Sequence, residues 1–372
     1  MKIPAARVTI PEEDRSKILS DLDTVLRSGR LTLGPFTEEF ERNYAEAVGT
    51  RHAVAVNSGT SALEIILRTI GVAGKKVLLP TNTFFATPAA ALHAGGQVVF
   101  LDSSSHLMLD VDAVQEALDK NTGAVVVVHI GGYVHPDIVR LREICDHNHV
   151  PLVEDAAHAQ GSTLDGKFAG TFGLAGASSF YPTKVMTSGE GGMITTNDSE
   201  LATKAKILRD QGKAEFSTNY HVDLGYNWRI PEISAVLGVH QLRRLAQFVS
   251  VRRKIAEVYN RGLENTSKIF LLEPPPRSRP NFYKFVLILE KGVSRAELKT
   301  RLKHDYNVSL SGEVYEIPCH LQPVFQKLKI ATQGKLEVAE DLCAHHVCLP
   351  VYSDMTEAEA GYVVDSLMKA LT

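Results

Sequence analysis

Short apolar runs alternate with longer amphipathic stretches through much of the chain's first half. The runs are rich in β-branched residues and apolar on both faces, which is typical of strands buried on both sides of a sheet. The runs lie at 52–56, 76–80, 97–101, 124–128 and 150–154, and the stretches between them lie at 61–71, 87–96, 111–120 and 137–148. Each stretch is long enough for one crossover helix, so the pattern predicts an α/β fold with a mainly parallel sheet and helices on both faces.

Helical patterns flank this predicted sheet. Two amphipathic stretches, at about 11–28 and 36–48, precede the first strand, and a third, at about 231–262, follows the last strand. The segment EPPPRSRP at 273–280 contains three consecutive prolines. Such a run cannot continue a helix, so the third helix must end before it.

Beyond the prolines the pattern indicates a second, smaller unit. Its predicted elements are a strand at 282–290, a helix near 294–304 and a strand near 307–315. We therefore expect a large α/β domain over residues 1–240, which includes the N-terminal helices, and a smaller C-terminal α+β domain over residues 241–372.

Composition and charge exclude several classes of function. The 372 residues include 40 Lys and Arg against 43 Asp and Glu, which gives a formal charge of −3, and 44% of the residues are hydrophobic. This is the composition of a globular chain, and it lacks the basic excess of an electrostatic nucleic-acid binder. The apolar runs are far shorter than the ~20 residues that span a bilayer. The N-terminal segment has no apolar signal-peptide core, so we expect a cytoplasmic protein without nucleic-acid or membrane partners.

Four cysteines are too few for a disulfide framework in a chain of this length. One short segment places Cys343, His345, His346 and Cys348 together. A structural zinc site usually has a second ligand pair at similar spacing, and the sequence provides none. We expect buried cysteines beside surface histidines, and no metal.

The first of four polar clusters is Asn57-Ser58-Gly59-Thr60, which follows the strand at 52–56. A strand, a glycine turn and a helix N-terminus with free N–H groups form an anion site, and Ser and Thr add hydroxyl donors. Alternatively, these residues only cap the N-terminus of the following helix and bind no ligand.

The second cluster is Glu154-Asp155-Ala-Ala-His158, at the carboxyl end of the strand at 150–154. Two acids that leave a buried strand are costly unless other groups pair with them. Helix capping by Asp155 is the simpler alternative.

The third cluster is SSFYPTK, which ends at Lys184 and precedes the glycine-rich stretch 187–196. A tightly turning backbone there leaves room for a ligand, although a single lysine is usually a solvated charge. The fourth is the turn Gly225-Tyr-Asn227-Trp-Arg229.

Together the clusters indicate one chemistry. Pyridoxal phosphate enzymes need a lysine for the Schiff base, an acid that faces the pyridine nitrogen, and a phosphate cup. Lys184, Asp155 and the turn at 57–60 supply one of each.

The chain resembles the fold-type-I pyridoxal phosphate aminotransferases of the DegT/StrS type, which act on keto sugars that are usually linked to a nucleotide. The resemblance covers essentially the whole chain, in several independent motifs in the right order. The motifs are SGRLTLGPFTEEFE (28–41), NSGTSAL (57–63), LPTNTFFAT (79–87), VEDAAHAQG (153–161), SSFYPTK (178–184), GEGGMITTND (189–198), LGYNWRI (224–230) and IPCHLQPVF (317–325). The resemblance implies pyridoxal 5'-phosphate as the cofactor.

The resemblance also implies roles around the cofactor ring. Lys184 would bind the cofactor and later act as the proton-transfer base. Asp155 would pair with the pyridinium nitrogen, and Phe84 would stack on the ring. His158 stands where many members carry Gln beside the ring oxygen, and a neutral imidazole can still donate one hydrogen bond there.

Further roles concern the cofactor phosphate and the substrates. Gly59, Thr60 and Ser179 would bind the phosphate of their own chain's cofactor. Asn227 would reach the phosphate of a neighbouring subunit's cofactor, which implies a homodimer with shared active sites. Arg229 and His320 are candidates for contacts with the substrates, although a structural surface role explains each of them as well.

By the same resemblance, the expected reaction moves an amino group from an amino acid, L-glutamate, to a keto sugar in amino-sugar biosynthesis. The turn TSGEG at 187–191 favours a nucleotide-linked 4-keto-6-deoxyhexose over a 3-keto sugar. Alternatives are another ketone, such as a 3-keto sugar, a cyclitol or a keto-octulosonate, and a cofactor-binding regulatory protein. Some family members carry His in place of the lysine and act as dehydratases, so Lys184 favours the aminotransferase.

Overall fold

The computed structural model describes residues 1–264 and 266–372. Within these ranges the helices are α1 (Glu12–Ser28), α2 (Pro35–Val48), α3 (Gly59–Thr69), α4 (Ala86–His93), α5 (Val111–Ala117), α6 (Ile138–His147), α7 (Ser199–Arg209), α8 (Glu232–Leu263), α9 (Arg295–Tyr306), α10 (Pro323–Lys327), α11 (Glu337–His345) and α12 (Glu357–Leu371). The strands are β1 (His52–Val56), β2 (Lys76–Pro80), β3 (Gln97–Leu101), β4 (Thr122–Val128), β5 (Leu152–Asp155), β6 (Thr163–Leu164), β7 (Lys167–Phe168), β8 (Ala175–Ser179), β9 (Gly192–Thr196), β10 (Ile269–Leu271), β11 (Ser278–Arg279), β12 (Phe285–Leu289), β13 (Ala331–Thr332) and β14 (His346–Leu349).

An eight-stranded sheet forms the centre of the larger unit, in the order β1-β9-β8-β5-β4-β2-β3-β13. Every neighbouring pair is parallel except the two pairs that contain β9, which runs antiparallel to β1 and to β8. The five apolar runs of the sequence all form strands of this sheet. The predicted mainly parallel α/β fold is therefore confirmed.

Helices cover both faces of the sheet because successive strand residues point to opposite sides. Val77 and Val126 lie in one buried cluster with residues of α3, α4 and α7. Their neighbours Leu78 and Val125 lie in another cluster with residues of α5 and α6. Two apolar cores thus sandwich the sheet and fix the carboxyl ends of its strands.

The C-terminal part contains a second sheet, which is antiparallel and has the order β10-β12-β14. Its core combines Tyr259 of α8, Phe285 of β12 and Leu367 of α12. Helix α8 runs unbroken from Glu232 to Leu263, so the expected boundary at 240/241 falls inside one helix. Strand β13 also returns to the edge of the large sheet. The division at 240/241 stays a prediction.

One predicted element of the smaller unit is wrong. No strand forms over 307–315; Val308 and Ser311 make only isolated bridges, to Ile3 and Cys348. The third strand of the small sheet is instead β14, within the segment that carries the clustered cysteines and histidines. This apolar stretch, HVCL, is buried at every position and pairs with β12.

The Cys343–Cys348 segment also corrects the expectation of surface histidines. His346 is fully buried. Its Nε2 accepts the N–H of Val314 (2.9 Å), and its Nδ1 donates to the carbonyl of Leu342 (2.8 Å). The described residues contain no cluster of His, Cys, Asp and Glu that could hold a metal ion. None of their helices combines the length and apolar character that a bilayer crossing demands.

Candidate active site

A cavity of about 440 Å³ lies where β5, β8 and the N-terminus of α3 meet. Both the large sheet and the segments around β12 and residues 312–315 contribute to its walls. Of the ten residues predicted from the sequence, those that line it are Gly59, Thr60, Phe84, Asp155, His158, Ser179 and Lys184. The structure therefore brings together the phosphate-cup, acid and lysine candidates.

The first turn of α3 forms one end of the cavity. Ser58 caps the helix by accepting the N–H of Ser61 (3.1 Å), so the expected capping also occurs. The N–H groups of Gly59 and Thr60 belong to a first turn, where no intrahelical acceptor exists. A Cβ on Gly59 would lie 2.8 Å from the Ser179 Cβ, so only glycine permits this close approach to β8. Free N–H groups and two hydroxyls in this cradle suit a phosphate dianion.

Asp155 lies at the last position of β5, on the floor of the cavity. Its Oδ2 accepts the hydroxyl of Thr87 (2.7 Å), and its Oδ1 accepts the N–H of Ala157 (3.1 Å). Burial raises the pKa of this carboxyl, against the opposing effect of the two hydrogen bonds and of Lys184. A buried carboxylate with spare acceptor capacity gains from a protonated ring nitrogen beside it.

Glu154 has a different environment from its neighbour, although both are buried. It accepts hydrogen bonds from the N–H groups of Gly170 (2.7 Å) and Gly173 (2.5 Å) and from Nε2 of His129 (2.8 Å). Because side chains alternate along a strand, Glu154 points away from the face that carries Asp155. Glu154 thus holds the loop after β7, and only Asp155 faces the cavity.

Lys184 follows β8 and extends its amine into the cavity, 4.8 Å from the centroid of the Tyr283 ring. Burial lowers the pKa of this amine to about 8, and the carboxylate of Asp155 acts in the opposite direction. A larger fraction of Lys184 is therefore neutral near physiological pH than for an exposed lysine. A neutral amine is both a nucleophile and a proton acceptor.

His158 lies between the lysine and the smaller unit. Its Nδ1 accepts the N–H of Gly131 (3.4 Å), so its proton resides on Nε2, which is 3.2 Å from the hydroxyl of Tyr315. Burial, and next the charges of Lys184 and Lys284, hold the pKa of His158 well below its usual value. The imidazole ring of His158 is thus neutral and has one N–H donor. One donor is what His158 needs in order to take the place of the Gln that many family members carry at this position.

Aromatic side chains form the remaining walls. Phe84 is 57% exposed, and its ring centroid is 5.8 Å from that of Tyr315. The ring of Tyr283 lies 4.4 Å from that of His158. Sequence reasoning missed Tyr283, Lys284 and Tyr315, because they lie far along the chain from the strand-end motifs. The one signal was a Tyr-Lys pair immediately before the apolar run of β12.

The other predicted site residues lie elsewhere. Asn227 and Arg229 line a second, more open cavity of about 660 Å³, which shares Ser58 and Glu190 with the first. Arg229 donates to Asp210 (2.5 Å).

His320 does not line the first cavity. Its Nδ1 lies 2.7 Å from the Thr81 hydroxyl, and its Nε2 lies 3.0 Å from a Glu340 oxygen. Both ring nitrogens are therefore engaged within the chain. A substrate contact of His320 stays a prediction that this geometry does not support.

A lysine amine, a buried carboxylate and an anion cradle around one cavity, at the carboxyl ends of a mainly parallel sheet, define a pyridoxal phosphate enzyme of fold type I. The donor set fits the cofactor at both ends: the cradle closed by Gly59 suits the phosphate, and Asp155 suits a protonated ring nitrogen.

Comparison with known proteins identifies the family. The model of the DegT/DnrJ/EryC1/StrS aminotransferase family matches residues 12–368, and the chain belongs to this family. It is a pyridoxal phosphate-dependent aminotransferase.

Three individual similarities illustrate the relationship. The dTDP-3-amino-3,4,6-trideoxy-alpha-D-glucose transaminase of Micromonospora megalomicea is 35% identical, over 97% of this chain and 96% of the relative. A pleiotropic regulatory protein of Geobacillus stearothermophilus is 32% identical, over 96% and 95%. The structure of NtdA from Bacillus subtilis with bound cofactor PMP has a TM-score of 0.90 and 28% identity, over 100% of this chain and 85% of NtdA.

Proposed function

We propose that this protein transfers an amino group from L-glutamate to a nucleotide-linked keto sugar, a 4-keto-6-deoxyhexose, in amino-sugar biosynthesis. The observation that carries the proposal is the convergence of Lys184, Asp155 and the α3 cradle on one cavity. The transaminase relative from Micromonospora, whose name specifies a dTDP-linked amino sugar, supports the nucleotide-sugar acceptor. The cytoplasmic location expected from the sequence stays a prediction.

Each residue has a role that follows from its environment. When bound, pyridoxal phosphate supplies an aldehyde that reacts with amines and a ring that accepts electrons. Asp155 would keep the proton on the ring nitrogen, and His158 would turn its Nε2 proton from the Tyr315 hydroxyl to an oxygen acceptor beside the ring. Lys184 anchors the cofactor and then moves a proton at the substrate carbon, for which a neutral amine is required.

The anion cradle and the aromatic walls position the reactants. Gly59, Thr60 and Ser179 would hold the cofactor phosphate at the N-terminus of α3. Phe84, a half-exposed residue of the cavity wall, would stack on the cofactor ring. A single cavity then receives the amino acid and the sugar in turn, which predicts ping-pong kinetics.

The central test follows the two half-reactions separately. L-Glutamate added to the cofactor-loaded protein should change the cofactor absorbance and release 2-oxoglutarate in a stoichiometric amount. The charged protein should then return to its original spectrum with one nucleotide-linked keto sugar from a panel that contains 3-keto and 4-keto compounds. The name of the Micromonospora relative specifies an amino group at carbon 3 of the sugar. The 3-keto compounds are therefore the essential comparison for the proposed 4-keto acceptor. Recovery only with 3-keto sugars would overturn the 4-keto assignment.

A regulatory protein is the second candidate, because one relative carries that name. A regulator that binds the cofactor need not convert it. Persistence of the starting spectrum with L-glutamate and with other amino acids would therefore favour regulation over turnover.

We further propose a homodimer in which Asn227 completes the partner's phosphate site. Asn227 lines the neighbouring open cavity rather than the one that holds Lys184 of its own chain. Leu31, which lines the same open cavity, is 52% exposed, and Leu224, three residues before Asn227 in the chain, is 90% exposed. Exposed apolar groups around a polar cavity are typical of an interaction surface.

The shared site predicts complementation between two impaired variants. A heterodimer of Lys184→Ala with Asn227→Ala should have one site with both residues intact and one site with neither. We expect about half of the parent activity once Asn227→Ala is shown to impair the homodimer. The measurement uses co-expressed subunits with two different tags, and the control is a heterodimer of Lys184→Ala with the parent chain. Activity equal to half that of the Asn227→Ala homodimer would show that Asn227 serves its own chain.

A further inference from the structure

A second lysine lines the cavity and has no role in the reaction as described so far. Lys284 precedes β12, and its amine lies 5.3 Å from the centroid of the Tyr283 ring, while the Lys184 amine lies 4.8 Å from the same centroid. The amines of two lysines thus lie near one aromatic ring. The Lys284 charge also acts on His158, which places it near the reacting end of the cavity.

The position of Lys284 is fixed by the same residue that fixes His158. The carbonyl of Gly131 accepts the N–H of Lys284 (2.9 Å), and the N–H of Gly131 donates to Nδ1 of His158 (3.4 Å). The adjacent residue Tyr283 donates its N–H to the fully buried Asn281 (2.7 Å). These contacts anchor the backbone of Lys284, so the side chain enters the cavity from a rigid base.

The amine of Lys284 makes no ion pair with any carboxylate of residues 1–264 and 266–372. Glu313 lines the same cavity, but both of its oxygens are bonded to Lys299, at 2.8 and 3.0 Å. Asp155 lies on the floor, where it faces Lys184. The cavity therefore holds a half-buried cation that is available to pair with an anionic group of a ligand.

We infer that Lys284 binds the α-carboxylate of the amino acid donor. The inference rests on the proposed function, and it adds the residue that selects an α-amino acid over a simple amine. The cofactor phosphate already has the α3 cradle of Gly59, Thr60 and Ser179, so Lys284 is not needed for it. An amino acid whose proton at Cα is removed by Lys184 carries its carboxylate one bond from that carbon. The amines of Lys184 and Lys284 lie near the same Tyr283 ring, so this carboxylate is within reach of Lys284.

The test measures binding separately from turnover. L-2-Methylglutamate lacks the proton at Cα and cannot be converted, so its titration against the cofactor-loaded protein reports a dissociation constant through the cofactor absorbance. Lys284→Met should weaken this binding roughly 10- to 100-fold, since a hydrogen bond to a charged group is lost. Lys284→Arg should recover most of the affinity because it keeps the charge. The matched control is Lys303→Met, an exposed lysine of α9, which should leave the dissociation constant unchanged.

Two further arms identify the anion that Lys284 recognises. L-Glutamate and L-glutamine share the α-carboxylate, but L-glutamine has an amide in place of the side-chain carboxylate. Lys284→Met should therefore weaken the binding of both amino acids by the same factor. A loss confined to L-glutamate would assign Lys284 to the side chain, and a defect confined to the sugar half-reaction would assign it to the nucleotide diphosphate. Either result would overturn the inference, as would unchanged binding in Lys284→Met. A parent protein that binds neither amino acid would instead contradict the proposed function.

Discussion

Replacement of Lys184 by alanine is expected to abolish covalent attachment of the cofactor and to reduce turnover by more than ~10⁴-fold, the upper end for acid–base help alone. The loss exceeds that range because the same amine anchors the cofactor and moves the proton. Lys284 also lines this cavity, so labelling of its peptide in the variant would identify it as a substitute.

Borohydride reduction provides the direct measurement for Lys184→Ala. The parent protein should retain the reduced cofactor on the peptide that contains Lys184, and the variant should retain none there. Lys206→Ala, at an exposed position of α7, controls for general effects of losing a lysine. Equal labelling of the variant and the parent would show that another lysine holds the cofactor.

The pKa of about 8 for the free Lys184 amine gives this prediction a pH dependence. Below that value the amine is mostly protonated and cannot attack the aldehyde. Covalent loading of the apoprotein should therefore accelerate as the pH rises from 7 to 9 and level off above. An exposed lysine would continue to gain reactivity towards its usual pKa near 10.4.

The strands were the part of the fold that the sequence predicted best. Runs such as AVVVV at 124–128 are buried on both faces and carry a strong local signal. Strand β14 was missed because four residues, HVCL, show no periodicity by themselves. The antiparallel direction of β9 is a property of strand pairing, and no local pattern encodes pairing.

The residues of the candidate site also fall into two groups, those that the sequence pattern predicted and those that it could not predict. Asp155 and Lys184 follow buried strands, so their place at the carboxyl edge of the sheet could be predicted from the pattern. Tyr283 and Lys284 reach the cavity only through tertiary contacts, in particular those of Asn281, whose amide donates to the carbonyls of His158 and Gln160. The spacing of hydrophobic residues along the chain does not predict contacts between such distant segments.

Replacement of Asp155 by asparagine is expected to leave the fold intact and to lower turnover by at least about 100-fold, the scale for loss of one electrostatic stabiliser in an active site. The side chain keeps its shape, and the hydrogen bonds can be satisfied again. The asparagine oxygen can accept the N–H of Ala157, and its amide can donate to the hydroxyl of Thr87. That hydroxyl can then turn towards Thr83, whose oxygen is 2.7 Å away.

The neighbouring acid offers a matched control with the opposite outcome. Glu154→Gln removes one charge from the preceding residue of β5, where Gly170, Gly173 and His129 all donate to the carboxylate. An amide at this site must direct an N–H at one of those donors, so we expect a loss of roughly 1.5–3 kcal/mol of stability. The cofactor spectrum should remain that of the parent, because Glu154 does not face the cavity.

Comparison of Asp155→Asn with Glu154→Gln distinguishes a carboxylate that acts on the cofactor from a carboxylate that stabilises the fold. Thermal unfolding should show Asp155→Asn close to the parent and Glu154→Gln clearly lower. The cofactor absorbance and its response to L-glutamate should show the reverse order, since only Asp155 keeps a proton on the ring nitrogen. If Asp155→Asn keeps activity within a few-fold of the parent, the carboxylate serves only as an acceptor for Thr87 and Ala157. The assignment of Asp155 to the ring nitrogen would then be wrong.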